Sequence, residues 1–160
     1  MTNDKAGELI DRWFAKAFKL RKWLDDQKAM ALKFWYSTTR RGRKRFYRKI
    51  DQDDPDKEAK RAQVGRWAGN QPIQGECVDM LKRAMSMISL ALHGGDLRKP
   101  RIYEAHLLAC VHDEIIVHAR EDHAEPVAAI VKGCMDAVYH DTIKTIKGET
   151  EVTIADYWKK

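Results

Sequence analysis

The stretch from Leu107 to Val117 constrains this chain more than any other. Leu107-Leu108-Ala109-Cys110-Val111 and Ile115-Ile116-Val117 are apolar and rich in β-branched side chains, and His112-Asp113-Glu114 stands between them. Two apolar runs of strand length around a short polar interval read as two buried strands of a β-hairpin, with the polar trio at the turn. Adjacent carboxylates in an apolar setting are costly, so they are expected to meet cations or hold a metal. Hard carboxylate oxygens suit Mg²⁺, or Mn²⁺ in its place, and Mg²⁺ is usually held by few protein carboxylates together with substrate phosphates. Asp113 is thus the candidate metal ligand, and Asp113 and Glu114 are the candidate catalytic pair. The plain alternative is a polar turn, because short motifs often match by chance.

A second block lies upstream, where Arg66-Trp67-Ala68-Gly69-Asn70-Gln71-Pro72-Ile73-Gln74-Gly75 leads to Asp79 and Lys82. Arg66, Asn70 and Gln74 recur at intervals of four, so a helical backbone projects them from one side. Their side chains suit hydrogen bonds to the minor-groove acceptors that all base pairs share. Ordinary helix-surface polar residues would show the same spacing.

Together the two blocks resemble the C-terminal palm of family A DNA polymerases, the bacterial DNA polymerase I type and its phage relatives. The family pattern reads Arg-x-x-x-Asn-x-Pro-Ile-Gln-Gly-x-x-x-Asp-x-x-Lys, then His-Asp-Glu. The resemblance runs from roughly Asp4 to Trp158 and implies that Arg66, Asn70, Gln74 and His112 contact the primer-terminal base pair and nearby template from the minor-groove side. It departs from the family at Gly75-Glu76-Cys77-Val78-Asp79, where the family has Gly-Thr-Ala-Ala-Asp. Glu76 brings a negative charge to the proposed DNA surface. A Tyr-Pro kink of the family is replaced by Ala17-Phe18.

Charge supports a polyanion partner. Residues 1–50 hold 15 Lys and Arg against 5 Asp and Glu, whereas residues 51–160 hold 15 against 19, within a net charge of +6. Such a split suggests one side facing polyanions and another facing metal. The basic charge concentrates in Arg40-Arg41-Gly42-Arg43-Lys44-Arg45, set between the aromatic runs Phe34-Trp35-Tyr36 and Phe46-Tyr47, which reads as a hairpin. Thr39-x-x-Gly42-Arg43-Lys44-Arg45 is similar to the family's Thr-x-x-Gly-Arg-Arg-Arg. Arg40, Arg41, Arg43, Lys44 and Arg45 are the candidate phosphate-binding residues, each able to release a counterion from DNA. Cys77, Cys110 and Cys134 are far apart and lie in apolar sequence, as expected of reduced core residues in a cytosolic protein. No apolar run is long enough to span a membrane and no secretory leader is recognisable, so no membrane partner is expected and the cytoplasm of a bacterium or phage-infected host is the expected location.

The expected fold class is α+β: long helices packed on a small antiparallel sheet with a central β-hairpin, a partial polymerase palm. Residues 1–56 would form a helical segment plus the basic hairpin, and residues 57–160 the C-terminal palm portion. Apolar periodicity gives one long helix or two shorter ones over residues 4–35. A helix capped by Asp56 should stop at Pro72, a second should run from about Gln74 to Leu92 and end at Gly94-Gly95, and Asp122 should cap a helix reaching about Asp141. A last strand, Glu151–Ile154, should join the sheet, with Trp158 packed at its end.

By resemblance, the upstream carboxylate strand and the nucleotide-binding fingers helix of the family fall outside these residues. The expected function is therefore template-directed nucleotidyl transfer on primer-template DNA, with the dNTP held through a complementary N-terminal polymerase fragment. A non-catalytic DNA-binding remnant and an autonomous metal-dependent nuclease are the alternatives.

Overall fold

Apolar residues at helical spacing build the start of the chain, and the computed structural model, which describes residues 3–158, resolves them into α1 (Asn3–Lys16) and α2 (Phe18–Phe34). The break is Ala17, whose φ of −99° and ψ of 41° leave the helical region, so the chain bends there without a proline. Trp35 ends α2 in the left-handed region (φ 61°), its N–H donating to the Ala31 carbonyl at 2.8 Å. Two short strands follow, β1 (Tyr36–Thr38) and β2 (Lys44–Phe46), paired antiparallel with Tyr36 opposite Phe46.

Pro72 does not end a helix. A single helix of 36 residues, α3 (Lys57–Leu92), runs through it. An interior proline removes one backbone donor and costs about 3 kcal/mol, but apolar side chains are buried on both sides of it: Val64 and Ala68 before, Ala84, Ile88 and Leu92 after. Tertiary packing therefore overrides the local breaker. At its C-terminus the Gly94 N–H bonds the Ala91 carbonyl and the Gly95 N–H bonds the Leu90 carbonyl, both at 2.9 Å, with both glycines at positive φ. This 6→1 and 5→2 pair satisfies carbonyls the helix leaves open, and it needs the left-handed backbone glycine adopts readily.

The chain divides into two compact units between Glu76 and Cys77. In the first, Ala31, Tyr47, Val64 and Ala68 form the core, with Leu32, Trp35 and Ile50 packed around them. In the second, β3 (His106–Val111) and β4 (Glu114–His118) make an antiparallel hairpin, a 3-10 turn spans Glu121–His123, and α4 (Ala124–Thr142) follows. Ile88, Leu92, Ala105, Val127 and Val131 are its buried centre, against which Leu107, Ile115 and Val117 pack. The architecture is α+β, with two separate two-stranded sheets among the described residues.

Three further expectations are corrected. Residues 151–154 form no strand; they run irregularly, and Val152, Thr153 and Ile154 instead line an open pocket with Val117, Val127 and Val131. Asp122 lies inside the 3-10 turn, and His123 at the N-cap of α4 makes no side-chain capping bond. Cys77 and Cys110 are exposed and Cys134 is only partly buried, burial raising its thiol pKa.

The irregular segment is held to α4 by polar contacts. Thr150 N–H donates to Asp136 Oδ1 at 2.8 Å, and Lys132 Nζ donates to Asp136 Oδ2, Glu149 Oε1 and the Thr150 carbonyl at 3.0, 3.0 and 2.9 Å. Burial alone would push the Asp136 carboxyl up, but the hydrogen bonds from Thr150 and Lys132 outweigh it and hold the group below its ordinary value. A depressed folded-state value adds stability above the unfolded pKa and loses it as pH falls. Unfolding followed by denaturant should therefore show a loss of stability below about pH 4 that Asp136→Asn makes smaller.

Candidate nucleic-acid interface and carboxylate turn

In the second unit, the pairing of Val111 with Glu114 leaves His112 and Asp113 as a two-residue loop between β3 and β4. His112 adopts φ 56°. This left-handed conformation is uncommon for a residue other than glycine, although His enters it more readily than most. His112, Asp113 and Glu114 are all exposed. Glu114 Oε2 accepts a hydrogen bond from the Trp158 indole N–H at 3.2 Å, which ties the carboxylate beside the turn to residues near the C-terminus.

The expected burial of this turn is not found. Register slips between Leu107 and Ala109, Leu108 stands out at 69% exposure, and Ala109 and Cys110 are exposed as well. Only one face of the hairpin packs on the core, and the tip reaches past it into solvent. Both acids are exposed, so the cost of burying adjacent carboxylates does not arise here. Among the described residues no three His, Cys, Asp or Glu side chains gather as a metal-holding group.

The first unit carries the other candidates. Because α3 continues through Pro72, Arg66, Asn70 and Gln74 all sit exposed on it, while Val64, Ala68 and Gln71 are buried. Helical spacing thus separates a polar face from a core face. Arg40, Arg41, Arg43, Lys44 and Arg45 are exposed on the β1–β2 hairpin and its turn.

What fixes this hairpin to α3 was not visible in any local motif. Ser37 Oγ hydrogen-bonds the Tyr47 hydroxyl at 2.6 Å and donates to Gln71 Oε1 at 3.2 Å, all within buried surroundings. Tyr47 stacks on Trp67 with ring centroids 6.3 Å apart and planes at 14°, and the Arg45 guanidinium lies over both rings, 5.0 Å from Trp67 and 5.9 Å from Tyr47. Cation–π contact holds Arg45 in place while leaving its charge in water. The repeated pairing of Arg with an aromatic, in Arg45-Phe46-Tyr47 and Arg66-Trp67, was the available signal. Arg41 Nε lies 3.7 Å from Glu76 Oε1. Unit one therefore brings the five hairpin cations onto the helix of Arg66, Asn70 and Gln74, whereas His112, Asp113 and Glu114 belong to unit two.

The family model for DNA polymerase family A matches residues 1–160. The DNA polymerase I of Chloroflexus aurantiacus is 35% identical over 149 residues, covering 93% of this chain and 15% of that protein. The thermostable DNA polymerase I of Thermus aquaticus is 31% identical over 161 residues, covering 97% and 17% respectively. Among solved structures, the polymerase domain of Pol1 from M. smegmatis, in complex with DNA primer-template and dNTP, is similar with a TM-score of 0.73 and 25% identity, over 87% of this chain and 23% of that one. The chain therefore spans about a sixth of the length of these curated relatives.

Gly75 sets how closely the hairpin approaches α3, since a Cβ there would collide with the Thr39 methyl. Gly75→Ala should destabilise the chain by about 1–3 kcal/mol, as overpacked sites do, despite the better helix propensity of alanine. Urea unfolding monitored by tryptophan fluorescence would measure it.

Proposed function

This chain belongs to DNA polymerase family A, and from that membership we propose that it supplies the C-terminal part of a DNA-directed DNA polymerase active in replication or repair in bacterial or phage-infected cytoplasm. The observation that carries the reading is the His112-Asp113-Glu114 turn, exposed at the end of a two-stranded hairpin in a chain that matches the family along its whole length. Arg66, Asn70, Gln74 and His112 would meet the minor-groove acceptors common to all base pairs, checking pair shape without reading sequence. Arg40, Arg41, Arg43, Lys44 and Arg45 would meet backbone phosphates.

Family A polymerases are divalent-metal dependent. The donor set here does not fit a two-ion centre by itself: Asp113 and Glu114 are the acids of the turn, and Glu114 already accepts from Trp158. Asp113 fits as one carboxylate of a shared site for Mg²⁺ or Mn²⁺. The remaining ligands and the grip on the incoming nucleotide would come from a complementary fragment. This division suits phosphoryl-transfer chemistry, where alignment and charge stabilisation supply most of the rate. What this chain's own residues do is orient the primer end and hold an anionic group beside it.

The test is reconstitution. Mixed with a family A fragment that carries the upstream carboxylate and fingers motifs, the chain should restore primer extension, and Asp113→Ala should lower the rate by about a thousandfold or more. Because Asp113 is exposed, its replacement should leave the melting temperature nearly unchanged. Salt-dependent DNA binding with no extension under any such pairing would overturn the catalytic reading and leave a DNA-binding remnant.

A further inference from the structure

Glu76 is an acid that the basic hairpin faces through Arg41. Its side chain is only 15% exposed, its Oε1 lies 3.7 Å from Arg41 Nε, and its Oε2 is buried with no hydrogen-bond partner. The distance makes this an ion pair without a hydrogen bond, since charge-assisted N–H···O contacts are closer to 2.8 Å. A largely buried carboxylate with one orphaned oxygen is a poor contributor to stability. Its position is nonetheless well determined. Gly75 beside it packs on Thr39, and Gln71 one turn earlier is hydrogen-bonded to Ser37, so the base of the hairpin cannot drift from this turn of α3.

We propose that Glu76 is an internal competitor for Arg41: a fixed anion that occupies the guanidinium until a nucleic-acid phosphate displaces it. The proposal rests on the reading of the hairpin as a DNA contact. A loose pair can be exchanged, and once Arg41 turns to a phosphate the carboxylate is left facing a second anion. Both effects lower affinity for DNA and remove one cation from the counterion exchange. Glu76 thereby sets how firmly the hairpin grips, while the other hairpin cations carry the binding.

Fluorescence anisotropy of a labelled primer-template duplex, titrated with the full chain across a KCl series, tests this. Glu76→Gln and Glu76→Thr should each bind about two- to fivefold tighter, the range expected for releasing one weak ion pair. The plot of log affinity against log salt should steepen by about 0.9, the value for one further phosphate contact. Arg41→Ala should weaken binding, and Glu76→Gln placed in that background should produce no gain. Thermal melts of the near-isosteric Glu76→Gln variant guard against a folding effect. Unchanged affinity in both Glu76 variants, or an equal gain with and without Arg41, overturns the competitor while leaving the DNA contact standing. Binding that ignores salt in every variant overturns the DNA contact itself, and the competitor with it.

Discussion

An uninterrupted α3 is the constraint on which the rest depends. Its N-terminal half supplies Val64 and Ala68 to one core and its C-terminal half supplies Ile88 and Leu92 to another. The same continuity keeps Arg66, Asn70 and Gln74 in helical register across the proline at position 72. Had the helix stopped there, Gln74 would start a new element and its alignment with Asn70 would be lost. Burial on both sides of Pro72 outweighs a local penalty of about 3 kcal/mol.

The hairpin that bears the basic residues depends on a different kind of interaction. Its strands are three residues each and too short to be stable alone. They are anchored by the Ser37–Tyr47–Gln71 hydrogen bonds and by the stack of Tyr47 on Trp67. Satisfied polar groups in a buried setting specify one arrangement rather than merely adding stability. The cations themselves stay exposed at the surface, Arg41 beside Glu76 and Arg45 over its two rings.

Much of this was legible in the residues, and the failures have physical causes. Apolar periodicity gave the helical span that α1 and α2 divide and gave α4, the glycine pair gave the end of α3, and the polar trio gave the position of the β3–β4 turn. Pro72 misled because its local cost is outweighed by side chains many residues away. Val152-Thr153-Ile154 looked like a strand because β-branched residues favour one, yet these residues only line a pocket and their backbone takes no place in the sheet. The turn acids were expected to be buried because the flanking runs are apolar. Periodicity cannot tell a strand covered on two faces from one covered on a single face, and the bulge at Leu108 leaves β3 in the second class. The contacts Ser37–Gln71 and Trp158–Glu114 join residues far apart in the chain, and no local pattern announces them.

The left-handed backbone at His112 has a consequence for anyone who would improve this molecule. Glycine is the residue that a two-residue hairpin loop favours at a first position of positive φ, and a selection for heat resistance alone would be expected to drift toward it. An imidazole there forgoes the ease with which glycine adopts the same backbone. If His112 meets the minor groove as proposed, that exchange would yield a hardier chain with a blunted tip, trading usefulness for endurance.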